Sequence, residues 1–225
     1  MGKGFRKGAK GALISFEGPD GCGKSTQLRL LARALAKEGI GVLATREPGG
    51  TKTGKAIRSI VLNPKNTQLS ERAELFFYLA DRAQHVDEIL KPALRQGKIV
   101  LIDRYLDSTW VYQGAGRGFP LDLVEVCNAF AVDGLQPDLT FVFDLKAEEG
   151  LARRGRQSRL DRMEGQKLAF HHRVRAGFRH LKKRFGPRVI LLDAHAPREK
   201  IHDAVRACVS RYLVQKCQVH WKQGF

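Results

Sequence analysis

The chain has 225 residues, 43% of them hydrophobic and 28% charged, which suits one folded domain with a substantial core. No apolar run reaches membrane-span length, and Met1 to Gly11 is basic and glycine-rich without the apolar centre of a secretory signal. The formal charge of +17 invites a nucleic-acid reading, but no recognised nucleic-acid module goes with it, and the aromatics are not interleaved with the basic residues as a stacking platform needs.

The first predicted strand is Ala12 to Phe16. It runs into Gly18-Pro19-Asp20-Gly21-Cys22-Gly23-Lys24-Ser25 and then into a helical pattern with Leu28, Leu31 and Leu35 on one face. Strand, glycine loop and helix turn the pattern GxxxxGK[ST] into a phosphate-binding loop. Its glycines let several backbone N–H groups point at one anion, and the helix adds the positive end of its dipole. Gly18 to Thr26 therefore form the expected nucleoside triphosphate site. Within it, Lys24 reaches the β- and γ-phosphates and Ser25 ligates Mg²⁺.

Gly39 stops the first helix, and Ile40 to Ala44 reads as a second buried strand. Thr45-Arg-Glu-Pro-Gly-Gly-Thr51 is an irregular loop at that strand's carboxyl end, where open α/β sheets bind ligands. Thr53 to Leu62 is a short amphipathic helix carrying Arg58. Ser70 caps the next helix, which runs to about Gln96 with Pro92 bending or ending it. Glu74, Tyr78 and Arg82 share one face of it.

Lys98 to Asp103 is a buried strand ending in an acid, and Asp103 fits the Mg²⁺-holding role with Ser25. Arg104 and Tyr105 follow. Asp107 or Ser108 is the expected cap of a helix carrying Thr109, Tyr112 and Gln113, broken by Gly114-Ala-Gly-Arg-Gly118. Leu121 to Val132 is a helix and Asp138 to Leu145 a strand. Arg153-Arg-Gly-Arg-Gln-Ser-Arg-Leu-Asp-Arg162 reads as a solvated charge run or as a mobile lid that closes over phosphates. Helix Gln166 to Phe185, strand Arg188 to Asp193 and helix Arg198 to about Lys216 complete the chain. The four cysteines lack metal-ligand spacing and are too few for a disulfide framework, so they read as reduced thiols of a cytoplasmic protein.

Phe16 to Gln27, Thr45 to Thr51, Asp103-Arg-Tyr105 with Ser108, Tyr112-Gln-Gly114, and Leu160-Asp-Arg-Met-Glu164 resemble, in order, the signatures of thymidylate kinases. The similarity runs from about Ala12 to Leu213. It implies transfer of the γ-phosphoryl of ATP to thymidine monophosphate (dTMP), with Mg²⁺ and a homodimer, in deoxynucleotide synthesis. It also places Tyr78 on the thymine, with Arg82, Gln113, Thr109 and Tyr112 around the base pocket. Arg58 and Arg104 fall where the acceptor phosphate is held, and Asp20 and Glu47 near the acceptor. The variable phosphate-loop positions carry no cation while the lid is arginine-rich, which resembles the members that supply a catalytic arginine from the lid. Arg153, Arg156 and Arg159 are the first choices, beside Lys24 and Asp103.

The expected fold is α/β: a P-loop nucleotide-kinase fold with a five-stranded parallel sheet, helices on both faces and a short lid. Residues 1–11 are expected as a basic tail, 12–215 as one kinase domain with the lid at about 153–164, and 216–225 as a second tail. The expected partners are ATP, dTMP and a second copy, with no specific nucleic acid and no membrane. The alternatives are another nucleoside monophosphate or deoxynucleoside kinase and a nucleic-acid-binding P-loop ATPase.

Overall fold

Every residue of the first strand, Ala12–Glu17, is buried, because two layers of helices cover it. The structure, a computed structural model, describes residues 11–156 and 160–217. In chain order the elements are β1 (Ala12–Glu17), α1 (Lys24–Lys37), β2 (Val42–Arg46), α2 (Lys52–Val61), α3 (Glu71–His85), α4 (Lys91–Arg95), β3 (Ile99–Asp103), α5 (Leu106–Thr109), α6 (Leu121–Val132), β4 (Leu139–Asp144), α7 (Ala147–Gly155), α8 (Leu168–Phe185), β5 (Val189–Asp193) and α9 (Arg198–Tyr212).

The strands form one parallel sheet in the order β2-β3-β1-β4-β5. Strand side chains alternate between faces. Ala12, Ile14 and Phe16 pack with Leu28, Leu31 and Leu35 of α1 and with Ile201, Val205 and Val209 of α9. Leu13, Val100 and Ile102 face the other way, onto Val86, Leu90 and Val132. Farther along that face, Val142 and Val189 meet Val174, Phe178 and Leu181 of α8. An all-parallel sheet covered on both sides explains the near-continuous apolar runs of its central strands.

Several boundaries differ from expectation. The helix after Ser70 does not run uniformly to Gln96: it widens into a π-helical turn, Val86–Leu90, just before Pro92. Proline has no N–H to give the preceding turn and crowds its carbonyl, so the ladder is re-registered there. Neither Asp107 nor Ser108 caps α5, which starts at Leu106 without a side-chain cap. Asp107 instead accepts from Arg188, and Ser108 donates to Glu17. The helix does end within Gly114–Gly118, but later than the first glycine: Gly114 and Gly116 lie in a π-helical segment, Trp110–Gly116, and Gly118 beyond it has φ +86°. A Cβ on Gly116 would stand 2.7 Å from Phe170, so the glycine is what lets α8 close onto this segment. The last helix ends in a π-helical turn that reaches Cys217, which is buried in the core beyond the expected domain end at 215.

Candidate active site

Because the sheet is parallel, β1, β2 and β3 end at one edge, and their loops surround a cavity of about 390 Å³. Its walls include most of the residues singled out from sequence: Asp20, Gly21, Gly23, Lys24, Ser25 and Thr26 of the phosphate loop; Glu47 and Arg58; Tyr78 and Arg82 of α3; and Asp103, Arg104, Thr109, Tyr112 and Gln113. Gly18, Pro19 and Cys22 are not among its lining residues.

The phosphate loop is held by its own lysine and by β3. Lys24 Nζ donates to Gly18 O at 3.0 Å and Pro19 O at 2.8 Å. Gly21 has φ +74°, and a Cβ there would sit 2.2 Å from the carbonyl of Gly150. The loop and α7 thus touch backbone to backbone, which only glycines on both sides allow.

Register places Phe16 opposite Asp103, and Ser25 Oγ donates to the Asp103 carboxylate. A hydroxyl and one carboxylate beside a phosphate loop are hard oxygen donors of the kind Mg²⁺ takes while keeping several waters. Among the described residues there is no cluster of three or more His, Cys, Asp or Glu that forms a protein-only metal cage. The donors therefore fit Mg²⁺ brought in with phosphates.

Arg104 is the centre of the wall beside the phosphate loop. It has φ +69°, a left-handed backbone that costs a non-glycine residue energy. That turn sends its guanidinium under the loop: Nη2 donates to Asp20 Oδ1 at 2.5 Å and Nη1 to Gly18 O at 3.1 Å. Its Cζ lies 4.9 Å from the centre of the Tyr112 ring, whose hydroxyl donates to Asp20 Oδ2. Burial alone would raise the Asp20 pKa, but Arg104 and Lys24 outweigh it and hold the carboxyl down at about 2. Arg58 shows the opposite balance: burial first, then Arg46, lowers its pKa. Arg46 and Arg58 line the cavity together, and two guanidiniums side by side suit an anion.

Arg82 is 2% exposed and largely committed. It donates to Glu47 Oε2, Thr109 Oγ1, Asn128 Oδ1 and Tyr105 O. Glu47 in turn gives its second oxygen to His85. Both residues brace the pocket wall, leaving one of the five Arg82 hydrogens for a ligand. Gln113 donates to the buried Glu74.

The lid differs most from expectation. Arg153 and Arg156 are exposed and do not line the cavity, and Arg159 lies outside the described residues. Arg154 does line it. Gly150 and Arg154 are one helical turn apart, so the face of α7 that touches the phosphate loop also presents Arg154. Arg162 is an anchor: it donates to Val61 O at 2.7 Å and to Glu74. Sequence reasoning also missed Arg46, Pro48, Asp161, Met163 and Glu164 on the walls.

The family model described as thymidylate kinase matches residues 16–205. The chain belongs to the thymidylate kinase family. As a member of it, the chain is 46% identical over 195 residues to a thymidylate kinase of Exiguobacterium sp., covering 87% of this chain and 92% of that one. It is 46% identical over 209 residues to the thymidylate kinase of Halothermothrix orenii, covering 92% of this chain and all 100% of the relative. The crystal structure of thymidylate kinase from Ehrlichia chaffeensis superposes with a TM-score of 0.73 at 33% identity, covering 89% of this chain and 99% of that one. This thymidylate kinase fold thus carries the phosphate loop, Arg58, Arg104 and Tyr78 around one cavity.

Proposed function

We propose that the chain transfers the γ-phosphoryl group of ATP to dTMP, giving ADP and thymidine diphosphate. The observation that carries this is the placing of Arg58, Arg104 and Tyr78 on the same cavity as the phosphate loop. A nucleoside monophosphate carries close to two negative charges, and planar guanidiniums bind such a group bidentately. Tyr78 is the one aromatic ring of α3 on that wall, and it offers a flat apolar face to a base.

The reaction asks little covalent work of the protein. An oxygen of the dTMP phosphate attacks the γ-phosphorus, the bond to the β-bridging oxygen breaks, and that oxygen leaves on ADP. Arg104 and Arg58 hold the attacking phosphate; Asp20 fixes Arg104. Lys24 meets charge on the β- and γ-phosphates from the other side. Arg154, the lid arginine on the cavity wall among the described residues, supplies the lid cation to the transferring group. Ser25 and Asp103 would hold Mg²⁺, which when bound neutralises charge on the β- and γ-phosphate oxygens.

The same reading includes a homodimer and a cytoplasmic setting. In support of the dimer, α3 and α6 lie side by side and present Phe76, Val126 and Phe130 to solvent, the last 92% exposed. A contiguous apolar surface of this kind on a folded domain marks a contact face. Among the described residues no helix is long and apolar enough to cross a membrane.

The test is turnover by purified protein with ATP, Mg²⁺ and a panel of monophosphates. dTMP outperforms the cytidine and guanosine monophosphates by a large margin. Deoxyuridine monophosphate is weaker but measurable, since one methyl in an apolar pocket is worth about 1–3 kcal/mol. Equal use of a purine monophosphate overturns the assignment.

A further inference from the structure

Two buried ionisable residues of α3 sit behind the cavity and do not line it. Asp81 and His85 are one turn apart on the helix, and both meet the Thr45–Thr51 loop. Asp81 Oδ1 accepts from Gly49 N at 2.9 Å. His85 Nδ1 lies 3.0 Å from Glu47 Oε1 and its Nε2 2.8 Å from Thr45 Oγ1. The other Glu47 oxygen accepts from Arg82, so Nδ1 is the donor to Glu47. The loop closes tightly on His85, and the first turn of α2 on Asp81. A Cβ on Gly50 would stand 2.3 Å from His85 Nε2, and one on Gly54 would stand 2.2 Å from Asp81 Oδ1.

From these anchors, bonds lead to the cavity. Next to Gly49, Pro48 O accepts from Arg58 Nη1 at 3.0 Å. Glu47 links His85 to Arg82, and Arg82 to Thr109. Arg58 therefore leans on this loop through Pro48 O, Arg82 has Glu47 of the loop among its partners, and Asp81 and His85 pin the loop.

Asp81 also carries a cost that packing alone does not explain. Its Oδ2 is buried with no hydrogen-bond partner among the described residues. Burial first, and the neighbouring Glu47 next, push its carboxyl up to about 6. A half-satisfied buried acid is the sort of group kept for what it positions.

We propose that Asp81 and His85 are positioning residues for the acceptor: they fix the Thr45–Thr51 loop so that Arg58 and Arg82 are aimed at the bound monophosphate. This rests on the function proposed above. The lysine and serine of the phosphate loop bond to neither residue, so the effect is expected on the monophosphate rather than on ATP.

The experiment is steady-state kinetics with each substrate varied, plus calorimetric binding of the monophosphate, on Asp81→Ala, Asp81→Asn, His85→Ala, His85→Asn and Thr45→Val. Asp81→Ala and His85→Ala raise the KM and Kd for the monophosphate about tenfold, while kcat and the KM for ATP stay within about twofold. Asp81→Asn keeps an acceptor for Gly49 N, and His85→Asn keeps a donor toward Glu47, so each recovers most of the loss. Thr45→Val removes one hydroxyl, disturbs the fold least, and gives a smaller shift in the same direction. Equal rises in both KM values, or a lower Tm with unchanged kinetics, overturn the positioning role. If Asp81→Ala or His85→Ala does not fold, an unchanged monophosphate KM in Thr45→Val does the same. The comparison uses whichever monophosphate the unmodified protein turns over best. Failure of that protein with dTMP therefore refutes the functional reading separately.

Discussion

Arg154 Nε donates to Glu164 Oε1 at 2.5 Å, tying the leading helix of the lid to its returning segment. Glu164 also accepts from the backbone of Asp161, and Asp161 caps Met163 and Glu164. The returning segment is thus a rigid bracket, and it steers one arginine of the five in the run toward the cavity. Arg154→Ala is expected to lower kcat by about 10²-fold or more with little change in monophosphate binding, the effect of removing a cation from the transferring group. Arg153→Ala and Arg156→Ala leave kcat within about twofold, as exposed side chains away from the cavity do. Arg162→Ala costs stability, because Glu74 keeps its burial and loses a partner. Measuring kcat at saturating substrates in all four checks this; a normal kcat in Arg154→Ala means that the catalytic cation lies elsewhere.

The two ends of the cavity are separable by mutation. Lys24→Ala removes the cation at the β- and γ-phosphates, so kcat falls by orders of magnitude. Arg104→Ala takes away the guanidinium beside Asp20 and raises the monophosphate KM by about 10- to 100-fold, with the ATP KM much less affected. The reverse pattern in Arg104→Ala, ATP binding weakened and the acceptor spared, shows that the two ends are assigned wrongly.

Stability has a pH dependence rooted in Glu17. Its oxygens accept from Tyr105 N and Ser108 Oγ. Burial first, then the charge of Asp107, push it from the ordinary 4.5 up to about 7, against the opposing pull of Ser108 and Arg104. The folded pKa lies above the unfolded one. The stability it contributes is therefore complete below pH 4.5 and is lost as pH rises to about 7, a change of about 3 kcal/mol at most. Asp81, raised to about 6, acts in the same direction. Asp20, held at about 2, has the opposite sign: its contribution is present above the ordinary 3.8 and is lost toward pH 2. Urea unfolding of the protein and of Glu17→Gln between pH 4.5 and 8 tests this. The variant shows the flatter profile; parallel profiles reject the role of Glu17.

The apolar face of α3 and α6 gives a fourth expectation. Val126→Glu with Phe130→Glu places two charges in the proposed contact, where desolvating them opposes association. Sedimentation at tens of micromolar should show a dimer for the unmodified chain and a monomer for the variant, since a stable contact buries upwards of about 1,000 Å² and has a charge-poor centre. A monomer in both removes the second copy from the account.

The basic surface gives a fifth. DNA binding is expected to be weak and to vanish as salt rises, because solvated lysines and arginines contribute counterion release and no base contacts. Filter binding across a salt series checks it, and tight, sequence-selective binding at physiological salt would revive the nucleic-acid reading.

What was legible in the sequence is what local chemistry dictates. The loop Gly18 to Ser25 is a contiguous motif whose backbone must curl, and Ser70 caps its helix because the hydroxyl bonds three residues ahead. Apolar periodicity marked the faces of α1 and α2, since each side chain reports the layer it packs against. The tertiary structure decided whatever depends on partners far apart in the chain. Nothing in the strands' composition says that β3 inserts beside β1, yet that order is what brings Asp103 to Ser25, 78 residues away. The resemblance put Arg82 at the base pocket, and its helix face with Glu74 and Tyr78 was legible, but its protein partners were not. Those partners, Glu47, Thr109 and Asn128, come from three other elements. Among the lid arginines, sequence offers equal charges; the packing of Gly150 on Gly21 turns α7 so that Arg154 lines the cavity.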